Sequence, residues 1–485
     1  MPTLTPEQQT ILTHVTNTTG LTLINACAGS GKTTMLVSIA NAIPHTNGLV
    51  LAYNKAIATE LKSKFPATTH CSTTHSLAYS ATVKPYKLKL GDFTYRSITE
   101  KLNFENKLLV IDLIRAFCLS EFTLFSDFST DRELPPNISS ICVKYLDLMA
   151  TGQIECTHDF YLKLFHIHLS TGEIDYEPFD FVMIDEAGDI NPVTLEIFKL
   201  LPATRKIAVG DPFQNIYTFN HTINAFDALA SQGTLFRMTQ SFRVATYIAP
   251  NIEYFCRTYL DPDMHFRGVI PTSTTIKSSA YITRTNSALI ARMIELNNRQ
   301  QPYGLVRKAA EIFRIPIMLI NLKYQGNITD NTYKHLQNDV DDWYEYTNIK
   351  EVYKTPLSYI SSLYTEDFPL QQAIRLIGRY GSTSIMKAYQ EARRHERSDQ
   401  SMLLMTAHSS KGLEVDEVTI APDLNDSITD IIDRIKDETN FSELLPDELE
   451  SLRLYYVAVT RCSIKLNNAI HLTKIDGDAY PEFLI

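Results

Sequence analysis

The chain has no excess of positive charge. Its 45 lysines and arginines stand against 55 aspartates and glutamates, a formal net charge of −10 over 485 residues. A strongly basic chain would point to nucleic acid by charge alone, and this composition removes that argument. An acidic chain holds a polyanion only where positive charge and aromatic faces line one local groove. Lys62, Lys64, Lys84, Lys87 and Lys89 are candidates for such a groove, although each is more simply a solvated surface lysine. Cysteine is also scarce: seven, an odd number without C-x-x-C spacing, which speaks against a disulfide framework or a zinc site. Free thiols in a reducing cytosol or nucleus are the natural reading. Long apolar runs are missing. None approaches the ~20 residues that span a bilayer, so no membrane partner is expected. The opening MPTLTPEQQ lacks a basic region followed by an apolar one, and no secretory signal is visible. There is no short-period repeat and no low-complexity linker, and tryptophan occurs once, at Trp343. What remains, 44% apolar and 21% charged, is an ordinary globular composition, and the length suits roughly two to four domains.

The stretch that organises the rest is ACAGSGKTT (26–34), directly behind the apolar run LTLIN (21–25). It fits the phosphate-cradling pattern G-x-x-x-x-G-K-[ST], with Ala26 where the first glycine usually stands. A buried strand delivers the chain to a tight turn, where Gly29 and Gly31 let backbone N–H groups converge on phosphate oxygens. The helix beginning near Lys32 points its positive end at the same anion. Ala28, Gly29, Ser30, Gly31, Lys32, Thr33 and Thr34 are therefore candidate ATP-binding residues. Lys32 supplies a point charge to the β- and γ-phosphates, and the Thr33 hydroxyl is a ligand for Mg²⁺.

The opening LTPEQQTIL carries two readings. Thr5-Pro6-Glu7-Gln8 is a helix start, with Thr5 as N-cap, Pro6 at the first helical position and Gln8 at the third. Gln8 also suits adenine, because one amide both accepts from and donates to a base edge. Position alone does not separate these. GLVLAY (48–53) reads as a second buried strand, and NKAIATELKSKF (54–65) as an amphipathic helix with Ile57, Leu61 and Phe65 on one face. A short strand and turn follow through TTHCSTTHSLAY (68–79). Residues from about 80 to 175 show helical periodicity, broken at Pro135-Pro136. His166 and His168, two apart, suit a metal poorly on a helix.

FDFVMIDEAGD (179–189) returns to an apolar strand that ends in two carboxylates. Behind a phosphate loop, this is where Asp185 holds Mg²⁺ and Glu186 orients and deprotonates the attacking water. RKIAVGDPFQNIY (205–217) places Gln214 and a run of aromatics at a strand's carboxyl end, where open α/β sheets bind ligands. MTQSFR (238–243) leads into a helix, and SAYITRTN (279–286) gives a strand. Residues from about 297 to 395 read as a further helical insertion, with the acidic run Asp339–Asp342 inside it and the solvated cluster Arg393–Arg397 at its end. MLLMTAHSSKGLEVDEVTIAP (402–422) is strand, loop and strand. A helix around SLRLYYVAVTR (451–461) and a strand near 464–473 complete the pattern.

LTPEQQ, ACAGSGKTT, YNKAIATEL, TTHSLAY, MIDEAGD, VGDPFQNIY, TQSFR, TAHSSKGLE and YVAVTR, in that order, resemble the motifs of the UvrD/Rep-like helicases of superfamily 1. Within that family the chain looks closest to the F-box DNA helicase branch, although neither an F-box nor a nuclease extension is visible. The resemblance implies an α/β fold of two RecA-like motor lobes clamping ATP, each with a mainly helical insertion. Lobe one would be 1–77 and 176–240, with its insertion at 78–175. Lobe two would be 241–296 and 396–485, with its insertion at 297–395. By the same carry-over Gln214 senses the γ-phosphate, Phe242 stacks on adenine, Glu414 meets the ribose, and Arg243 and Arg461 stabilise charge on the transferring phosphoryl group. Tyr53, Asn54, His75, Phe219 and His408 would face single-stranded DNA. Phe219 and its neighbour Tyr217, like Tyr53, also admit a core reading; for Phe219, in a polar loop, DNA contact is the better one. The implied activity is ATP- and Mg²⁺-dependent 3′→5′ translocation on single-stranded DNA and unwinding at duplex junctions, in replication, repair or recombination. A DNA-stimulated ATPase that remodels protein–DNA complexes, or a nucleotide-binding protein without DNA, are the alternatives. The chain departs from the family pattern in places. Gly188 stands where Gln is general, Phe219 where Trp is usual, and Asn220 where many relatives have Arg.

Overall fold

The computed structural model describes residues 3–128, 134–216, 222–271, 275–324, 326–328, 330, 332–396, 402–437 and 444–472. The chain divides into two compact units, Met1–Phe242 and Arg243–Ile485.

The first unit is built on six strands: β1 (Gly20–Ala26), β2 (Gly48–Leu51), β3 (Thr69–Ser72), β4 (Phe179–Ile184), β5 (Ala203–Gly210) and β6 (Thr234–Met238). They pair in the order β3-β2-β4-β5-β1-β6, and every pair is parallel. A parallel sheet needs cover on both faces, so its strands alternate between two buried sides. Leu23, Leu49, Leu51, Val182, Ile184 and Ala208 join one core. Ile24, Val50, Phe181, Met183, Ile207 and Val209 join the other. The second core is closed by α1 (Pro6–Asn17), α2 (Lys32–Ala42) and α3 (Lys55–Lys62). In α3 the buried side chains are Ala58 and Leu61, with Phe65 buried just beyond, while Ile57 of the expected stripe is only half-buried. The first core is closed by the helices Phe104–Leu119, Ile138–Ala150 and His158–Thr171, which lie between β3 and β4 in sequence and pack against the sheet.

One buried cation holds that cover together. The Lys163 ammonium, fully buried, donates to the carbonyls of Ser120 at 2.6 Å and Phe122 at 2.8 Å, and lies 4.9 Å from the centre of the Phe117 ring. Burial pushes its pKa down to about 8. Below pH 8 native and unfolded chains both carry the proton, and the full desolvation cost is present. Between pH 8 and the usual lysine value the unfolded chain binds more protons, so stability rises with pH through that window. Relative to a Lys163→Met variant, wild type is expected to gain up to about 3 kcal/mol across it. Urea unfolding of both proteins at several pH values reads the difference, and a constant gap would contradict the buried charge.

The second unit carries β9 (Ser279–Thr283), β10 (Gly304–Leu305), β11 (Met402–Thr406), β12 (Val415–Ile420) and β13 (Cys462–Asn467), paired in parallel in the order β10-β11-β9-β12-β13. β7 (Gln240–Ala245) and β8 (Arg267–Ile270) form a separate two-stranded sheet. Between β9 and β11 the helices Asn286–Asn298, Arg314–Lys323, Leu336–Glu345, Pro356–Leu363 and Phe368–Ala392 share a core that includes Leu289, Met293, Phe313, Leu319, Ile360 and Leu376. No helix among the described residues is long and apolar enough to cross a membrane.

Candidate functional site

The carboxyl edge of the first sheet gathers most of the candidate residues, because each parallel strand delivers its following loop to the same side. β1 runs into the phosphate loop, where Gly29 and Gly31 have φ of +76° and +81°, a region that suits glycine. Ala26 and Ala28 are fully buried and hold the turn against the core. α2 begins at Lys32, with Thr33 and Thr34 in its first turn. The Lys32 ammonium lies 3.4 Å from a carboxylate oxygen of Glu186. Ser30 Oγ is buried and, among the described residues, has no hydrogen-bond partner, an unpaired donor in the turn between β1 and α2.

Next to the loop, β4 ends in Asp185, only 6% exposed, whose Oδ1 accepts the Glu186 N–H at 2.9 Å. Glu186 has φ of +56°, a strained conformation for a residue with a side chain. β5 ends at Gly210, and a short turn follows. There Asp211 accepts from the Phe213 N–H at 3.0 Å and from the Gln214 side-chain amide at 2.8 Å, which fixes Gln214 in a buried position.

Gln8 makes the expected capping box and something more. Its Oε1 accepts the Thr5 N–H at 3.0 Å and its backbone N–H donates to Thr5 Oγ1 at 3.2 Å. Its Nε2 donates to the Ser30 carbonyl at 3.2 Å. One donor hydrogen and one acceptor lone pair remain on that amide, so capping and base reading are compatible. Phe242 donates its N–H to the Gly29 carbonyl at 2.8 Å, while its ring is 44% exposed beside the loop.

The second unit brings Arg243, Glu414 and Arg461 together at the amino ends of β12 and β13. Arg243 Nε pairs with Glu414 at 3.0 Å, and the N–H of Val415, next in chain, donates to the Arg461 carbonyl at 3.1 Å. Arg461 is 2% exposed; its guanidinium donates to the Val457 carbonyl at 2.8 Å and to Thr460 Oγ1 at 3.1 Å. His408 stands apart from these, after β11 at the opposite edge, 3.9 Å from Glu450.

Of the residues assigned to DNA, Tyr53 is 49% exposed, and Asn54 caps α3 by accepting the Ile57 N–H at 2.9 Å. Burial lowers the pKa of His75 below the ordinary imidazole value, which favours its neutral form. A cavity of about 280 Å³ is lined by Tyr53 and His75 together with Arg115, Asp159 and Asp185. Phe219, Asn220 and Tyr217 lie outside the described residues. Lys64 is a surface lysine paired with Glu60 at 2.6 Å.

Residues 8–220 match the family described as an AAA domain. The chain is 25% identical to F-box DNA helicase 1 of Gallus gallus over 98% of its own length and 50% of that protein. It is 24% identical to F-box DNA helicase protein 1 of Schizosaccharomyces pombe over 97% of its own length and 58% of that protein. It thus spans about half the length of the curated relatives it matches. The family match thus covers residues 8–220, and the likeness to the two F-box DNA helicases runs over nearly the whole chain.

Gly188, expected to depart from a family pattern, has a steric reason to be glycine. A Cβ on Gly188 would meet the Asp211 carbonyl oxygen at 2.4 Å, and a Cβ on Gly210 would meet the Gly188 nitrogen at 2.7 Å. The loops after β4 and β5 therefore touch backbone to backbone. Gly188→Ala is expected to destabilise by about 1–3 kcal/mol, the usual cost of overpacking. An unchanged melting temperature would contradict the close approach.

Sequence reasoning did not single out Arg284. This half-buried arginine follows β9, and burial lowers its pKa. It lines a groove of about 750 Å³ with Arg375, Arg379 and the 57% exposed ring of Phe368. The only signal in sequence was its position after a strand.

Proposed function

We propose that the chain is an ATP-dependent DNA helicase or translocase moving 3′→5′ on single-stranded DNA and separating duplex at junctions. The observation that carries this reading is the convergence of Lys32, Glu186, Asp185 and Gln214 on one sheet edge beside a buried, unpartnered Ser30 hydroxyl. The phosphate loop fits a nucleotide triphosphate, and Thr33 and Asp185 are the residues that would hold Mg²⁺. A Mg²⁺ ion held by Thr33 and Asp185 would supply charge neutralisation at the phosphates. Glu186 orients and deprotonates the attacking water, Gln214 senses the γ-phosphate, and Gln8 and Phe242 take the base. Glu414 is assigned to the ribose, and Arg243 and Arg461 to the charge on the phosphoryl group. Tyr53, Asn54, His75, His408 and the undescribed Phe219 are assigned to the strand, with Arg284 added from the groove after β9. The DNA helicase names of the two relatives support the substrate class.

The reading places the motor lobes and their insertions at 1–77 with 176–240, 78–175, 241–296 with 396–485, and 297–395. Strand displacement on 3′-tailed and 5′-tailed duplexes tests the activity. Displacement from 3′ tails alone is expected. Displacement only from 5′ tails would overturn the polarity. ATP hydrolysis on DNA without any displacement would make the chain a remodelling ATPase instead.

A further inference from the structure

Glu7 occupies the first turn of α1, one residue before Gln8. An acid there has an ordinary use, since it complements the positive end of the helix. Its actual contacts lie elsewhere. Oε2 accepts the Thr239 backbone N–H at 2.8 Å and Oε1 accepts the Thr239 hydroxyl at 2.6 Å, so both donors of one residue are held by one carboxylate. Thr239, 9% exposed, sits between the end of β6 and the start of β7, and three residues later comes Phe242. On either side of Thr239 the same segment is tied to the phosphate loop: the Cys27 N–H donates to the Met238 carbonyl at 3.0 Å, and the Phe242 N–H donates to the Gly29 carbonyl at 2.8 Å. The two side chains assigned to the base converge as a result. A point one Cβ out from Gly31 lies 3.4 Å from Gln8 Nε2 and 3.9 Å from the Phe242 ring.

We infer that Glu7 is a positioning residue for base recognition: its bidentate hold on Thr239 sets the spacing between the amide that reads the base edge and the ring that stacks on its face. This rests on the assignment of Gln8 and Phe242 to adenine. A carboxylate accepts from both Thr239 donors at once. Glutamine keeps both contacts only by accepting the Thr239 N–H and donating its amide to Thr239 Oγ1, without the charge, whereas alanine removes both. Hydrogen bonds to a charged group are among the stronger ones, and a base pocket whose walls shift loses discrimination between bases before it loses phosphate chemistry.

The test compares Glu7→Ala, Thr239→Val and Thr239→Ser with Gln8→Glu and Phe242→Ala, reading the Michaelis constant, kcat and the ATP:GTP ratio of kcat/KM, with a melting curve for each protein. Glu7→Ala, which removes both contacts, is expected to raise the Michaelis constant for ATP about tenfold, with kcat within twofold, and to lower the ATP:GTP preference. Thr239→Val, which removes only the hydroxyl donor, should move the same quantities less, and Thr239→Ser should restore them. If Gln8→Glu and Phe242→Ala change the base preference while Glu7→Ala leaves it and the Michaelis constant as in wild type, the positioning role is wrong and Glu7 is only a helix-end acid, whatever the melting temperature does. If none of the five changes base preference, the base-site assignment itself falls and takes this inference with it.

Discussion

Lys32→Ala is expected to abolish ATP hydrolysis, and Glu186→Gln to stop turnover while leaving nucleotide binding intact. The two side chains face each other at 3.4 Å, so each variant also changes the other's surroundings. Without Lys32 the phosphate loop loses its point charge and a carboxylate remains beside the triphosphate, with nothing at that position to offset the repulsion. Affinity and turnover should both collapse. Glu186→Gln keeps the shape and removes the base. It also removes negative charge near the phosphates, so affinity should equal or exceed that of wild type while turnover falls by about 10²–10⁴. Fluorescent-nucleotide titration beside a phosphate-release assay separates the two variants. Normal turnover in either would remove the assignment.

Arg243→Ala and Arg461→Ala are expected to reduce nucleotide affinity modestly and to cut DNA-stimulated turnover by about 10³–10⁵, the range that arginine fingers contribute in phosphoryl transfer. Their settings differ, and so should their secondary effects. Arg243 is held by the half-exposed Glu414 through a surface ion pair, whose loss costs little stability. Arg461 is buried and bonded to its own helix end, so Arg461→Ala also leaves a cavity. Arg461→Lys keeps the charge in that space but loses the planar fork, and it should recover stability without recovering rate. Turnover losses below tenfold in both alanine variants would mean that these arginines are structural.

Much of this site was legible because its signals are local. The phosphate loop, the apolar runs of β1, β2 and β4, and the Thr5 cap each depend on residues a few positions apart. Contacts set by the topology were hidden. Glu7 and Thr239 are 232 positions apart, and an acid in the first turn of a helix reads as a partner for the helix end. Gly188 read as a departure from a pattern, and only the sheet order, which puts β4 beside β5, shows that a side chain there would strike Asp211. Asn54 shows the reverse. Its place in a motif suggested a strand contact, while its side chain serves the local need of a helix start. Arg461 was read for its charge alone, and only the packing around the helix Pro446–Val459 reveals that the charge is buried.

The most direct measurement is steady-state phosphate release by the wild-type protein with and without single-stranded DNA. If the residues after β2 and β3 face the strand and those after β4, β5 and β1 face the nucleotide, as proposed, one sheet edge links the two ligands, so DNA is expected to accelerate ATP turnover strongly and saturably, with an apparent affinity that weakens as salt rises. Turnover that does not respond to DNA at any salt concentration would contradict the account, leaving a nucleotide site with no strand to act on.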